Sequence, residues 1–256
     1  MADGVIEAEG LSVTVAPTPL QQFNTAKQRT GKKVVLCTPT VKRPHPAYFD
    51  AVKASAPLLD EAGWDHGITW MIGCAYISAA RAIMARRALD AGADVVVFID
   101  HDMSWAPRDL LTLLETEGDV VGGTYRFKQD DVEFMGHPWP GETGRPLVRD
   151  TDGAVKMVCV PAGFLKVTRN GISRFMRKYP ELIYGDECNP SIDLFQHGAV
   201  DRVWYGEDYM FSRRWNEIDD IWCPPHLELQ HHDFDGKSYG GTYHDYLSSF
   251  AKKDTQ

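Results

Sequence analysis

The sequence predicts an α/β protein built on a mainly parallel sheet flanked by helices. Short β-branched runs such as Val95–Ile99 are apolar on both faces, as buried parallel strands are. A helix with a single apolar stripe is predicted at 77–91, between another predicted strand and the run Val95–Ile99. With the short connections between them, the three elements form a strand–helix–strand unit. The chain has 256 residues, 43% of them hydrophobic, enough for one large domain.

The other elements are predicted from apolar spacing and from Gly and Pro breaks. Residues 1–31 have weak periodicity and are expected to be a tail or an added edge element. The domain is expected over 32–250, divided into a first half (32–125) and a second half of mixed strands (126–250), with a C-terminal tail at 251–256. Strands are predicted at 33–37, 68–74, 95–99, 119–125, 157–167 and 227–230, helices at 48–62, 77–91, 108–115 and 207–217, and a Gly- and Pro-rich loop at 130–152.

Composition excludes several functional classes. With 27 basic and 36 acidic residues the net charge is −9, which argues against a protein that coats a polyanion. The five cysteines include no Cys-x-x-Cys pair, so a thiolate zinc site is not expected. No segment approaches the roughly 20 apolar residues of a membrane span. Asp3, Glu7 and Glu9 stand where a secretory signal would be basic, so the expected compartment is the cytoplasm.

The segment Asp100-His101-Asp102 follows the buried strand Val95–Ile99 directly. Ligands of open α/β sheets bind at the carboxyl ends of the strands, and two carboxylates one residue apart can reach a single divalent cation there. Hard oxygen ligands of this kind suit Mg²⁺ or Mn²⁺. The alternative is that the two aspartates only open a surface turn or cap the helix near Pro107.

Arg81 shares the apolar face of its predicted helix with Ile77 and Met84. Burial of an unpaired guanidinium is costly, so this side chain requires an anionic partner. The partner is either a carboxylate of the protein, Asp94 or Asp100, or the phosphates or base of a bound nucleotide.

Asp208 lies in the first turn of the predicted helix 207–217 and shares its inward face with Phe211 and Trp215. The positive end of the helix macrodipole favours an ionised carboxylate at this position. Such a carboxylate can accept a proton from a substrate hydroxyl. Alternatively, Glu207 and Asp208 only compensate the helix dipole.

Several segments together resemble GT-A-fold glycosyltransferases, in particular the family 2 type. The segments Ser78–Arg81, Gly92–Asp94 and Val97–Asp102 are similar to the nucleotide-sugar core of that family. Pro161–Leu165 resembles the small-residue strand on the acceptor side, and Gly206–Phe211 resembles the Glu-Asp motif that carries the catalytic base. The resemblance covers about residues 33–241, with the motifs in the family's order, and it implies that 32–125 is the nucleotide-sugar and metal half and 126–250 the acceptor half.

The resemblance implies metal-dependent, inverting transfer of a sugar from a nucleoside diphosphate sugar, expected to be a UDP-sugar, to a hydroxyl. It assigns Asp208 as the base with Glu207 beside it. Mn²⁺ or Mg²⁺ is expected on Asp100, Asp102 and one of two histidines, His231 or His232. Donor contacts are expected from Thr38, Pro39, Thr40, Arg81, Asp100 and His101, although His101 is expected to point away from both carboxylates.

Two positions depart from the family pattern. Gly73-Cys74-Ala75 stands where an acidic residue after the second strand often contacts the uracil or ribose, which leaves the nucleotide open. Asp233 stands where a glycine usually follows the histidine ligand, which leaves the choice between His231 and His232 open.

The acceptor side is predicted around the segment 126–152. The resemblance assigns Ala162 and Gly163 to this side, and Arg126 and Trp139 belong to the segment itself. The segment is expected to be a mobile lid with Trp139 as an aromatic platform. Its interleaved basic and aromatic residues could hold a DNA backbone while a hydroxymethylated pyrimidine enters the pocket. A glycan is the other acceptor class, and an ordinary solvated loop is the alternative to a lid. The basic and aromatic residues concerned are Arg126, Phe127, Lys128, Phe134, Trp139, Arg145 and Arg149.

Two other functions are compatible with an Asp-x-Asp on an α/β sheet. A nucleotidyltransferase would use two metals and release pyrophosphate, with Asp119 or Asp208 as the third carboxylate. A non-catalytic nucleotide-sugar binder would turn nothing over. The sequence contains no Gly-x-Gly-x-x-Gly fingerprint, no phosphate loop and no Gly-x-Ser-x-Gly elbow.

Overall fold

The computed structural model describes residues 32–142 and 144–253, together with two short strands, β1 (Glu7–Ala8) and β2 (Leu11–Ser12), which pair antiparallel. Apart from these two strands, the tail predicted at 1–31 lies outside the described residues. Of the tail predicted at 251–256, the first three residues belong to the last helix and 254–256 lie outside the described residues.

Fifteen further strands and six helices follow along the described chain. The helices are α1 (Pro46–Glu61), α2 (Ile77–Asp90), α3 (Asp109–Glu115), α4 (Arg169–Lys178), α5 (Glu207–Trp215) and α6 (Tyr243–Lys253). The strands are β3 (Lys33–Thr40), β4 (Asp65–Ile72), β5 (Val95–Ile99), β6 (Met103–Trp105), β7 (Val120–Gly122), β8 (His137–Pro138), β9 (Val155–Cys159), β10 (Phe164–Thr168), β11 (Ile183–Asp186), β12 (Asn189–Ile192), β13 (Gly198–Val200), β14 (Val203–Tyr205), β15 (Ile221–Cys223), β16 (Leu229–His232) and β17 (Ser238–Gly241).

The central sheet has eight strands in the order β4-β3-β5-β10-β7-β15-β9-β8. Strand β3 pairs in parallel with both β4 and β5, and β15 pairs in parallel with β7. Only β10 and β9 run against the other six, since each pairs antiparallel with both of its neighbours. The predicted α/β class is therefore confirmed, with a parallel half followed by a mixed half.

The central strands are buried because helices or loops cover both faces of the sheet. Successive residues of β5 alternate between the two faces, so Val96 and Phe98 enter one hydrophobic core while Val95 and Val97 enter the other. Helix α2 covers the first face through a stripe of small or flexible side chains that includes Ala80, Met84, Ala85 and Ala88. Among the described residues, no helix is both long and apolar enough to cross a bilayer.

Several predicted boundaries differ from the structure. The strand predicted at 157–167 is two strands, β9 and β10, which are not neighbours in the sheet, because the chain turns at 160–163. Strand β4 begins at Asp65, three residues earlier than predicted, because it pairs with β3 in register from Lys33 onward. The strand predicted at 227–230 is β16, which begins at Leu229 and contains both His231 and His232.

A second, three-stranded sheet, β17-β16-β6, was not predicted. Strand β16 pairs antiparallel with β6, which begins immediately after Asp102. This pairing brings His231 opposite Met103 and so beside the Asp100–Asp102 segment. The small sheet thus joins residues 229–241 to the segment that follows β5.

Candidate active site

Asp100 and Asp102 lie at the carboxyl end of β5, as the sequence predicts. The Asp100 amide donates a hydrogen bond to the Gly163 carbonyl at 3.1 Å, which ties the end of β5 to the start of β10. The Asp102 side chain is 13% exposed and that of Asp100 is 24% exposed, so both carboxylates remain partly open to solvent. The pair therefore stands where ligands of open α/β sheets bind.

Arg81 is buried and forms two ion pairs across the site. Its guanidinium donates to Asp100 Oδ1 at 2.9 Å and to Glu207 Oε1 at 2.7 Å, and it lies over the ring of Phe195. Burial alone would lower the pKa of Arg81, but the two carboxylates outweigh it and raise the pKa. Of the two partners considered from sequence, Asp100 is the one observed; Asp94 instead accepts the Lys33 amide. Arg81 thus holds α2, β5 and α5 together.

The Asp102 carboxylate faces two cationic or basic groups. Lys128 Nζ donates a hydrogen bond to Asp102 Oδ2, and His231 Nε2 lies 3.6 Å from the same oxygen. Burial would raise the pKa of Asp102, but hydrogen bonds from His231 and Lys128 outweigh it and hold the pKa well below its ordinary value. The Asp102 side chain is therefore ionised at neutral pH. The link to Lys128 is not evident from sequence, because 26 residues separate the two.

The structure separates the two candidate histidines. His231 Nδ1 lies 3.0 Å from the Arg126 carbonyl, which can only accept, so Nδ1 carries a proton and Nε2 is the ring nitrogen directed at Asp102. Both ring nitrogens of His232 are hydrogen bonded at 2.7 Å, to Ser104 and Ser238, and the ring stacks on His45. Only His231 faces the carboxylates, because neighbouring residues of β16 point to opposite faces.

The side chains at this edge have the chemistry to hold a divalent cation. Asp102 and Asp100 provide carboxylate oxygens and His231 provides an imidazole nitrogen, a set that suits Mn²⁺ or Mg²⁺. The bond from His231 Nδ1 to a backbone carbonyl is the usual support of a metal-binding histidine. Within residues 32–142 and 144–253, however, no group of three or more His, Cys, Asp or Glu side chains is arranged to hold a metal ion. A cation bound at this edge would take further ligands from substrate phosphates.

Asp208 occupies the first turn of α5 beside Glu207, as predicted. Burial, reinforced by the negative charge of Glu207, raises its pKa from 3.8 to about 6, although Arg81 acts in the opposite direction. The helix dipole was expected to favour the ionised form, but burial is the stronger effect here. A carboxylate with a pKa of about 6 is mostly ionised at neutral pH and basic enough to accept a proton from a hydroxyl.

Tyr125 is a central residue that the sequence analysis did not identify. It is only 2% exposed, and its ring packs edge-on against His231 at 5.1 Å. Burial, with further contributions from Asp100 and Asp208, raises the pKa of Tyr125 well above its ordinary value. The hydroxyl therefore stays protonated among the carboxylates. Its position at the end of a predicted strand, level with Asp100, was the available signal.

Gly163 allows these groups to approach each other. A Cβ atom at this position would collide with the Tyr125 hydroxyl and would lie 2.7 Å from Asp100 Oδ2. Its neighbour Ala162 is 1% exposed and belongs to the hydrophobic core, so Ala162 does not line a surface. Of the two acceptor-side residues predicted here, only Gly163 borders the site.

We expect Gly163→Ala to destabilise the protein and weaken the site, because Tyr125 and Asp100 must both move. Overpacking of this kind costs about 1–3 kcal/mol, and thermal denaturation should register it as a fall in Tm of about 2–10 °C. Gly67→Ala is the matched control, since an added Cβ there meets no atom within 4 Å. An unchanged Tm for Gly163→Ala would contradict this close packing.

The residues predicted to contact the donor near β3 are enclosed. Thr38, Pro39 and Thr40 belong to β3 itself and are buried, and Thr38 Oγ1 is hydrogen bonded to the Tyr48 hydroxyl at 2.7 Å. The His101 ring lies near Phe234 at 6.1 Å, and its Nε2 has no hydrogen-bond partner among the described residues. In the part of the chain that the structure describes, none of these four side chains is hydrogen bonded to Asp100 or Asp102.

The segment 126–152 is tied to the sheet by backbone hydrogen bonds. The Trp139 amide donates to the Lys156 carbonyl at 2.8 Å, and the Lys156 amide donates to the Leu147 carbonyl at 2.8 Å. The Arg126 guanidinium donates to three backbone carbonyls of residues 129–131. The Trp139 ring is 38% exposed and lies beneath the Lys156 ammonium. Arg126 therefore holds a turn of its own segment, and Trp139 contacts β9.

Comparison with known proteins provides similar folds but no relative in sequence. No protein-family model matches the chain, and no curated protein is similar to it. A197 from STIV has a TM-score of 0.45 and 13% identity, over 82% of this chain and 93% of that chain. GalNAc-T7 with UDP, GalNAc and Mn²⁺ has a TM-score of 0.45 and 14% identity, over 78% and 43%. S. aureus TarS 1–349 has a TM-score of 0.41 and 9% identity, over 75% and 57%.

The match spans less than two thirds of GalNAc-T7 and of TarS. Similarity at this level describes the general course of the chain only. What the protein does is inferred below from its own side chains.

Proposed function

We propose that this protein is a glycosyltransferase of GT-A-like fold that moves a sugar from a nucleoside diphosphate sugar, expected to be a UDP-sugar, to an acceptor hydroxyl. One observation carries the proposal. Asp102 and His231 Nε2 face each other at the carboxyl end of β5, while Asp208, with a pKa of about 6, belongs to the same cluster of charges. A cation site beside a carboxyl base is what transfer from a diphosphate sugar requires.

The roles follow from the geometry of the chain's own groups. Asp102, His231 and the second oxygen of Asp100 would hold a divalent cation, which when bound neutralises charge on the leaving diphosphate. Asp208 takes the proton of the acceptor hydroxyl as that hydroxyl attacks the anomeric carbon from the side opposite the leaving group, which inverts the configuration. Arg81 is a positioning residue that holds Asp100 and Glu207. We also infer that residues 32–250 act as one unit, since Asp102 lies in the half 32–125 while His231 and Asp208 lie in the half 126–250.

Lys128 is expected to compete with the cation for Asp102. Its ammonium is hydrogen bonded to the carboxylate that would hold the metal. Lys128→Gln should therefore tighten Mn²⁺ binding by about tenfold, the size of one charge-assisted hydrogen bond, measured by isothermal titration calorimetry or by Mn²⁺ electron paramagnetic resonance. The control is Lys156→Gln, because Lys156 has similar exposure and pairs with Asp220 instead. Weaker Mn²⁺ binding by Lys128→Gln would contradict the competition.

Of the two acceptor classes, a glycan has more support than hydroxymethylated DNA. A DNA backbone requires free cationic side chains along its path. Three of the basic residues proposed for that task bind groups of the protein: Arg126 binds backbone carbonyls, Lys128 binds Asp102, and Arg149 binds Asp152. The net charge of −9 also argues against a DNA acceptor.

A nucleotidyltransferase would need Asp119 or Asp208 as a third metal-binding carboxylate, and Asp119 lies away from the site. Asp119 precedes β7, at the edge of the sheet opposite to the carboxyl end of β5, and it is bound by Arg174 and Asn170. Asp208 would have to serve instead, although its raised pKa makes it a poor permanent metal ligand.

Product analysis tests the proposal. The protein is incubated with Mn²⁺ and a panel of nucleoside diphosphate sugars, with water and with sugar acceptors, and the released nucleotide is identified by chromatography. Metal-dependent release of a nucleoside diphosphate is the expected result. In a parallel incubation with nucleoside triphosphates and sugar phosphates, release of pyrophosphate would indicate a nucleotidyltransferase instead. Binding of a donor without any turnover would indicate a non-catalytic binder.

A further inference from the structure

A cavity of about 480 Å³ lies between the segment 127–146 and helix α6. Aromatic side chains form its walls: Phe127 and Phe134 from the segment, and Tyr243 and Tyr246 from the helix. The Phe134 ring lies 5.0 Å from the Tyr246 ring and 5.7 Å from the Tyr243 ring, measured between centroids. Phe134 and Tyr243 are buried whereas Tyr246 is half-buried, so Tyr246 offers its ring to the open space.

The Tyr209 side chain connects the wall of the cavity to helix α5. Gly136 and His137 line it, and the Gly136 amide donates a hydrogen bond to the Tyr209 hydroxyl at 3.3 Å. The His137 ring also contacts the Tyr209 ring at 6.1 Å. Because Tyr209 directly follows Asp208 on α5, this side chain is the contact between the cavity wall and the first turn of that helix.

The lining suits a neutral ligand with apolar ring faces. Besides the aromatic walls it contains proline rings such as Pro138 and Pro146, and its charged side chains are one acid and one base, Glu133 and Arg145. Pyranose sugars present a face of C–H groups that packs on aromatic rings, and hydroxyl groups at the rim that bond to scattered polar side chains. A phosphate backbone would need a run of cations that this lining does not contain.

We propose that this cavity is the acceptor subsite and that it takes a neutral saccharide, whose pyranose ring packs on Tyr246. The inference rests on the proposed function, since it names the acceptor of that same reaction. It also replaces the predicted aromatic platform, Trp139, by Tyr246, because the Trp139 ring lies against Lys156 and does not line the cavity.

The test compares Tyr246→Ala with two other variants. Tyr246→Phe keeps the ring, and Tyr184→Ala removes an exposed tyrosine of strand β11, which does not line the cavity. Two rates are measured for each protein: transfer to a panel of methyl pyranosides and neutral oligosaccharides, and hydrolysis of the donor by water. Tyr246→Ala should raise the acceptor KM about three- to tenfold, as expected when one ring no longer packs on the sugar, and leave donor hydrolysis unchanged. Tyr184→Ala should leave both unchanged, and Tyr246→Phe should raise the acceptor KM less than Tyr246→Ala does, because it keeps the ring.

Each outcome has a distinct meaning. An unchanged acceptor KM in Tyr246→Ala, with donor hydrolysis intact, overturns the cavity assignment and leaves the proposed function standing. Transfer to a hydroxymethylated oligonucleotide that depends on Tyr246 overturns the saccharide class. Absence of any donor turnover in the wild type overturns the proposed function. In that case, saturation-transfer NMR with the same methyl pyranosides still tests the cavity. A sugar signal that disappears in Tyr246→Ala but persists in Tyr246→Phe supports the cavity assignment, and equal signals in the two variants overturn it.

Discussion

Asp208→Asn should lower kcat by about a hundred- to ten-thousandfold, because it removes the group that accepts the proton of the attacking hydroxyl. Asparagine has nearly the same shape but cannot take up a proton at neutral pH. Donor binding should change little, since Asp208 is assigned to the acceptor hydroxyl. Steady-state kinetics with saturating donor and acceptor measures the effect.

The same carboxyl should set the acid limb of the pH profile. With a pKa of about 6, Asp208 is progressively protonated as the pH falls below that value, so kcat/KM should fall with an apparent pKa near 6. Because its pKa is raised on folding, from 3.8, this group stabilises the fold below pH 3.8 and loses that contribution as the pH rises through about 6. Asp208→Asn should therefore be inactive yet more resistant to denaturant than the wild type at pH 7–8.

Asp193→Asn is the matched control for this variant. Asp193 is also half-buried with a raised pKa, but it faces Arg214 and His197 instead of the site. Asp193→Asn should keep full activity, and its kcat/KM should still fall at acid pH as in the wild type. An Asp208→Asn protein with nearly normal kcat, or one that is inactive only because it unfolds, would remove Asp208 from the mechanism.

Asp102→Asn should abolish metal-dependent turnover, with a fall of about a thousandfold in kcat/KM, the several kcal/mol that a bound cation supplies. It should also weaken Mn²⁺ binding measured without substrate, because the remaining partner, His231, then faces an uncharged amide. The two readouts together separate loss of the cation from a general loss of structure.

Asp119→Asn is the control for that experiment. Its side chain is 15% exposed against 13% for Asp102, and it too is in an ion pair, with Arg174 at 2.9 Å. Metal binding and turnover should survive the change. Undiminished turnover in Asp102→Asn would contradict the cation assignment, and an equal loss of turnover in Asp119→Asn would show that disruption of a half-buried ion pair is enough to explain the effect.

Much of the framework could be predicted from sequence because it depends on near neighbours in the chain. The continuous apolar run of β5 and the single stripe of α2 predict a buried strand and a covering helix. Asp100 and Asp102 directly follow β5, and Glu207 and Asp208 open α5. The predicted ends of these two elements therefore locate the four carboxylates before the structure is known. The parallel half of the sheet follows from the same local pattern.

Other features were decided only by packing between distant segments. The start of β16 at Leu229 follows from its pairing with β6, and this register determines that His231 faces Asp102 while His232 binds two serines. A shift of one residue would exchange their roles, because side chains alternate along a strand. Local periodicity cannot specify which of two adjacent histidines faces inward when the strand boundary itself depends on a partner.

The same holds for the charges of the site. Sequence determined that a buried Arg81 needs a carboxylate, but its bond to Glu207 joins residues 126 positions apart. Sequence placed Asp208 at a positive helix end, yet burial by the folded chain raises its pKa to about 6. The residue types and the ends of the elements were therefore determined locally, whereas partners and proton affinities depend on distances and on exclusion of water, which exist only once the sheet, α2 and α5 have packed together.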